Sequence, residues 1–177
     1  MPARHATYPY VEPIAVELPT DTIEATAEDF AERYGYRSGH SLEDLCRAAG
    51  VDTEYSHHPN EILLDLPLEG RPVIWLPRDG RKREDRVAIA TALGYWALHV
   101  PGTRNANPGC GVQALYDPTS TIAAQEAENF GLALLMPQTA FRAAWYEGRA
   151  QTAAALFDVP TKTVYLRAER LLLKNAS

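Results

Sequence analysis

The sequence predicts an α+β domain: a small antiparallel sheet packed on two long helices, followed by a helical C-terminal subdomain. Three observations predict it. Between Val51 and Leu76, three short aliphatic runs alternate with turn chemistry. Two longer runs with helical spacing follow, from about Glu84 to His99 and from Ser120 to Leu135. From Thr139 to Lys174 the spacing stays helical, with breaks only at Gly148 and at Asp158 to Pro160.

Residues 1–19 are rich in Pro and Tyr, and only Ile14 to Leu18 reads as a short extended segment. Helical spacing begins at Asp21. Asp21 and Glu24 stand at capping-box separation, Ile23, Ala27, Phe30 and Tyr34 share a face, and Gly35 ends the run. Ser41 is placed to cap a second helix, with Asp44 positioned to reach back. That helix buries Leu42, Leu45, Cys46 and Ala49, and Gly50 stands at its C-terminal cap. The extended runs are Val51 to Tyr55, Ile62 to Leu66 and Val73 to Leu76. Pro59-Asn60, Glu69-Gly70 and Asp79-Gly80 bound them, and Glu69-Gly70 predicts a hairpin. In the first long helix Val87, Ala90, Thr91, Gly94 and Leu98 face the core, and Pro101-Gly102 is expected to end it. A loop of some twenty residues is expected from there to Ser120, and Pro137 stops the next helix.

The bulk numbers bound the function. The chain has 177 residues, 46% of them hydrophobic and 23% charged, the composition of one soluble globular domain. A net charge of −6 argues against a surface built as a nucleic-acid platform. Cys46 and Cys110 are far apart and read as two reduced thiols. No uncharged apolar run of ~18 residues occurs and no apolar leader opens the chain, so the expected location is the cytoplasm.

Two stretches carry chemistry by resemblance. One runs Arg86-Val87-Ala88-Ile89-Ala90-Thr91-Ala92-Leu93-Gly94-Tyr95-Trp96-Ala97-Leu98-His99. The other runs from Glu126 through Ala127, Phe130, Leu134, Leu135 and Met136 to Pro137. Together they resemble the paired signature of the ImmA/IrrE family of zinc metallopeptidases, R-F-x-x-A-H-E-L-G-H-x-x-L-H and E-x-x-A-N-x-F-A-A-x-L-L-M-P. The resemblance covers most of the chain after about residue 20. It implies a zincin-like domain over 20–137, preceded by an N-terminal extension over 1–19 and followed by a helical subdomain over 138–177.

The packing residues of the signature survive while its chemical residues do not. Thr91 stands at the first zinc-binding His, Ala92 at the general-base Glu, Tyr95 at the second His and Ala124 at the third ligand. Two imidazoles at i and i+4 lie one above the other on a helix and close on a tetrahedral zinc, whose bound water the Glu deprotonates. Threonine and alanine supply no such ligand, and a phenol with a pKa of about 10 is a poor one. No metal, cofactor or catalytic residue is therefore expected at this pocket. Glu126 is the nearby carboxylate considered as a substitute for the third ligand. His99 stands at the signature's final, non-ligand His, where the helix dipole favours it. The Tyr95 ring is expected to fill the former metal pocket, its phenol bonded to Thr91, Gln125 or Glu126. His57-His58 reads as a solvated loop pair, and Cys110 as a lone loop thiol with no base nearby in sequence.

Three functional readings follow. The first is a non-catalytic pseudo-peptidase, a protein-interaction regulator whose cleft includes Thr91, Ala92, Tyr95, His99, Gln125, Glu126 and the 101–118 loop. The resemblance implies a partner such as a helix–turn–helix repressor in a mobile-element, phage or stress-response circuit. The second is a DNA-binding regulator. Residues from Gln138 onward hold six Lys/Arg against three Asp/Glu, and the Ala153–Leu171 stretch has helix–turn–helix cadence that would offer Lys162, Thr163, Arg167 and Arg170 to a groove. Against it, those helices pack beside the pocket as part of the family fold. The third is an enzyme using the cleft differently, through an unorthodox metal site or through Tyr95, Glu126 or His99. No membrane partner is expected.

Overall fold

A computed structural model describes residues 7–56 and 61–173. Its first regular element is β1 (Tyr10–Val11), followed by α1 (Thr20–Tyr34) and α2 (Leu42–Ala49). Three strands come next, β2 (Asp52–Ser56), β3 (Ile62–Leu66) and β4 (Val73–Pro77). A long helix then runs as α3 (Lys82–Gly94), a π-helical turn (Tyr95–His99) and α4 (Val100–Ala106). Strand β5 (Gly111–Leu115) leads to α5 (Thr121–Leu135), α6 (Gln138–Glu147), α7 (Ala150–Phe157) and α8 (Thr161–Arg170). The α+β class holds. No helix among the described residues is long and apolar enough to cross a membrane.

The sheet has the order β1-β5-β3-β4-β2 and is mixed rather than purely antiparallel. The hairpin at Glu69-Gly70 forms as the turn residues dictate, and Gly70 takes a φ of 134° there. β4 therefore runs back along β3 and parallel to β2, beside which it lies. β5 is antiparallel to β3, and β1 adds parallel to β5. In β4, Ile74 and Leu76 face the core while Val73, Trp75 and Pro77 are half-buried. That alternation belongs to a sheet with one fully covered face.

The turn glycines and Ser41 act as their positions require. Gly35 and Gly50 adopt left-handed φ at the ends of α1 and α2, and Ser41 Oγ accepts the Asp44 N–H at 3.2 Å. Asp44 does not reach back to complete a box; its carboxylate takes Arg47 at 3.1 Å. The Asp21/Glu24 box does not form either. Pro19 precedes α1 with no side-chain cap, and Glu24 turns inward to the Arg167 guanidinium.

Two expectations about the middle of the chain are overturned. Pro101 does not end the first long helix. A proline has no N–H and its ring collides with the carbonyl four residues earlier. The π turn, in which the Val100 N–H reaches back to Tyr95 O, widens the helix just before Pro101 and lets it run on as α4. The expected twenty-residue loop is therefore one and a half turns of helix and a strand. In β5, Val112 and Ala114 are buried and Gln113 faces the other way toward Asp65. The Pro59-Asn60 turn and His57-His58 lie outside the described residues.

α3 and α5 cross so closely that glycine is required on both. A Cβ on Gly94 would lie 2.6 Å from Ala127 O, and one on Gly131 would lie 2.9 Å from Thr91 N. Gly102 in α4 has nothing within 4 Å of its Cβ position. Gly94→Ala should therefore destabilise the protein by roughly 1–3 kcal/mol despite alanine's helix propensity, because backbone cannot yield as a side chain does. Gly102→Ala should stabilise it by up to about 1 kcal/mol. Urea unfolding of both variants against the parent checks the opposite signs.

Candidate functional site: a cleft between two helices

The positions at i, i+4 and i+8 on α3 and the π turn, Val87, Thr91 and Tyr95, form one wall of a cleft. Ala124 and Glu128, one turn apart on α5, form the facing wall, and Leu63, Leu115 and Tyr116 close the sheet end. The cleft holds about 330 Å³. It continues into a second cavity of about 260 Å³ that shares Val87, Thr91 and Glu128 and is bounded by Lys162, Thr163 and Leu166 of α8. The two make one groove, lined mainly by apolar side chains, from the end of the sheet to the C-terminal helix.

The donor set in this groove does not fit zinc. Thr91 Oγ1 donates to Val87 O at 3.0 Å, within its own helical turn. Ala124 offers a methyl group. The Tyr95 phenol is pushed up to about 12 by burial, with the nearby Glu12 and Glu128 carboxylates acting in the same direction, so it stays protonated at neutral pH. Among the described residues no three His, Cys, Asp or Glu side chains gather as a metal set. Tyr95 is only 2% exposed, so the ring does occupy the wall. Its hydroxyl makes none of the bonds expected to Thr91, Gln125 or Glu126.

Several expected cleft residues lie elsewhere. Ala92 is fully buried in the core. Gln125 is exposed on the outer side of α5. His99 and Glu126 form a buried pair outside the groove lining, with Nε2 3.2 Å from Oε1 and the His99 ring 5.4 Å from that of Tyr95. Two groove carboxylates are not among the expected residues, Glu84 and Glu128; Glu128 stands four residues beyond Ala124 on the same helix face, a spacing the sequence shows. Of the 101–118 segment only Leu115, Tyr116 and Pro118 reach the groove.

The His99–Glu126 pair is a foundation for the N-terminal arm. Glu126 Oε1 accepts the Val16 N–H at 3.0 Å, and Oε2 accepts the Leu18 N–H at 3.2 Å. Glu17 between them takes a φ of 53°, which turns both amides toward one carboxylate as in a backbone anion nest. Ile14 N–H donates to the buried Thr103 Oγ1 at 3.0 Å, and Glu12 Oε1 accepts the Thr119 N–H at 3.0 Å. The extended segment expected at Ile14–Leu18 forms no strand; the left-handed turn at Glu17 interrupts it, and its amides bond to side chains. Burial lowers the His99 pKa from its ordinary 6.5, with Glu126 opposing the shift. A neutral ring donating from Nε2 to the carboxylate fits this, and Nδ1 is left buried without a partner.

The face proposed for DNA is turned inward only in part: Lys162 is exposed and Arg170 half-buried. Arg167 is 2% exposed, pairs with both oxygens of Glu24, and donates from Nε to Met136 O at 3.1 Å. Thr163 is buried. Arg170 bridges to Asn129 and Glu128, and Lys162 to Glu84 at 3.2 Å. Arg86 ties the same tail to the helix core through Asp158 O at 2.9 Å, His40 O at 2.7 Å and the Tyr36 hydroxyl at 3.1 Å. Helix packing has taken Arg167, while Lys162 and Arg170 are held only in partly exposed pairs. Cys46 is buried, its thiol pushed up to about 12 by that burial, and Cys110 is a half-buried free thiol.

Comparison with known proteins places this geometry in context. The family model of the IrrE N-terminal-like domain matches residues 46–169, from α2 through α8. Among solved structures, a Mycobacterium tuberculosis transcriptional regulator matches with a TM-score of 0.61 at 18% identity. The match covers 86% of this chain and 47% of that one, so the chain spans about half its length; at this identity the likeness is one of fold. No curated protein matches.

Two outcomes are expected from this geometry. Because His99 has a lower pKa folded than unfolded, the unfolded chain binds the extra proton as pH falls below about 6.5. Stability should therefore decline from there downward until the folded ring also titrates. The raised Asp65 and Asp85 act with the opposite sign at lower pH and are common to parent and variant. Chemical denaturation at stepped pH should find this decline smaller in His99→Gln. Arg167→Met should cost about 3–5 kcal/mol by leaving Glu24 buried and unpaired, and adding Glu24→Leu should restore most of it.

Proposed function

The chain belongs to the IrrE N-terminal-like domain family, and from that premise we propose that it is a non-catalytic member that regulates by binding another protein in the groove. One observation carries the reading: the positions that hold zinc in the resembled peptidases are Thr91, Tyr95 and Ala124 here, and they line an open groove instead of closing on each other. Hydrolysis in that chemistry requires a metal-bound water and a general base beside it. Neither function has a side chain at these positions, since Ala92 stands where the base belongs. A cleft that binds chain but cannot cut it holds its target.

The partner proposed is a helix–turn–helix repressor of a mobile-element, phage or stress-response circuit. The family resemblance supports that class, and the similar solved structure is that of a transcriptional regulator, which accords with it. Concave, mostly apolar sites with a few polar groups are the usual form of a binding cleft, and this groove has Thr91, Glu128 and Glu84 among apolar walls. Binding DNA through α8 is the weaker reading because its basic face is spent on Glu24, Glu84, Glu128 and Asn129.

The test combines metal content with partner integrity. Protein purified without a metal-affinity tag, incubated with zinc and desalted, should carry well under one zinc per chain by elemental analysis. Mixed with a helix–turn–helix repressor encoded beside it, the protein should form a complex in which the repressor stays full length. Thr91→Trp, which fills the groove, should weaken that complex at least tenfold. One zinc per chain together with repressor cleavage would return the protein to the peptidases.

A further inference from the structure

A second cavity, separate from the groove and sharing no lining residue with it, opens between α1 and the π turn with α4. It holds about 650 Å³ against about 330 Å³ for the cleft, within the range of small-ligand sites. Its floor and walls are aromatic. Phe30 is fixed edge-on to Phe130 at 5.6 Å and to Tyr34 at 4.9 Å, and Trp96 stands half-buried across from α1. The π turn carries Trp96, and such turns occur often at functional sites.

The cavity carries more positive than negative charge, with two arginines against one aspartate in its lining. Arg33 and Arg104 both line it, in a protein of net charge −6. Neither takes part in any ion pair of the described residues, so both guanidinium groups at this cavity are open to an anion. Arg104 has one long bond, to Pro67 O at 3.5 Å, and Arg33 has none. Asp29, one turn before Arg33, also lines the cavity without pairing with it. A guanidinium is a planar fork that matches carboxylate and phosphate oxygens, and rings stack on rings.

We propose that this cavity binds a small planar anion, a flat ring bearing a carboxylate or phosphate, with the ring against Trp96 and Tyr34 and the anionic group held by Arg33 and Arg104. Asp29 then serves as the acceptor for a donor on the same ligand. The site lies on helices that also build the groove, but it does not depend on the groove's role.

The full chain would be titrated with the aromatic sulfonate 8-anilino-1-naphthalenesulfonate, which carries a flat naphthalene ring beside its anionic group, followed by its fluorescence. The expected result is saturable binding at one site per chain. Arg33→Gln with Arg104→Gln should weaken it at least tenfold, as should Trp96→Ala. Tyr165→Ala, which removes an aromatic ring exposed elsewhere, should leave it unchanged. Unaltered thermal unfolding of each variant confirms that the fold is intact, and the exposed Arg33→Gln alone, expected to weaken binding several-fold, serves if the double variant does not fold. Displacement by AMP but not indole-3-carboxylate would assign phosphate, and the reverse would assign carboxylate. Absence of saturable binding, or binding indifferent to both arginines and Trp96, overturns the proposal.

Discussion

The backbone contact between α3 and α5 is the constraint on which the rest of the molecule depends. Gly94 lies against Ala127 O and Gly131 against the backbone at Ala90 and Thr91, so any side chain at either glycine would push the helices apart. With the two axes held this close, the outward-facing positions just beside the contact are brought opposite each other. Thr91 and Tyr95 then face Ala124 and Glu128 across a gap that no side chain fills. The groove is thus a consequence of where the glycines are. Side chains on its walls can therefore vary without disturbing the contact that sets the architecture.

Buried charge does a different task, joining the periphery to that helix pair. Glu126 holds the N-terminal arm by two amides, Glu24 and Arg167 lock α8 against α1, and Arg86 gathers the chain at His40 and Asp158. Breaking one partner of such a pair strands the other in a low dielectric, so each acts as a fastener whose loss is felt well beyond its own contacts. The cations of the C-terminal segment are committed to this purpose. Its excess positive charge, legible in the sequence, is largely cancelled by carboxylates contributed from α1, α3 and α5, which no local count reveals.

What was legible in the sequence is what local chemistry decides. Gly35, Gly50 and Ser41 mark helix ends because left-handed φ and an orphan N–H have few solutions. The three helices of the tail and the Glu69-Gly70 hairpin could likewise be read directly. The misses required tertiary information. Pro101 reads as a helix stop unless the π turn before it is known, and β5 was hidden in an apparent loop although Val112 and Ala114 alternate with Gln113. Glu24 and Asp21 have the spacing of a capping box, yet a distant arginine outbids the local amide. Glu126 was close to Ala124 in sequence but, two residues along a helix, it faces elsewhere.

The state of the groove bears on its use. An unneeded metal site in a close-packed protein would be free to fill with larger apolar side chains, since a cavity in a core costs stability and filling it is favourable. Here only one of the positions has moved in that direction: Tyr95 is large and buried, while Thr91 and Ala124 are small and leave the space between the helices open. An open, mainly apolar groove exposes surface that water solvates poorly and that another chain can cover. Glu84 and Glu128 at its margin are bridged to Lys162 and Arg170 of α8, so the far wall is held by ion pairs that are partly exposed and individually weak. A bound segment could therefore exchange those bridges for its own contacts at little cost. Small residues at Thr91 and Ala124, a fixed glycine crossing behind them and a lightly tethered wall together leave an apolar surface that another chain can cover.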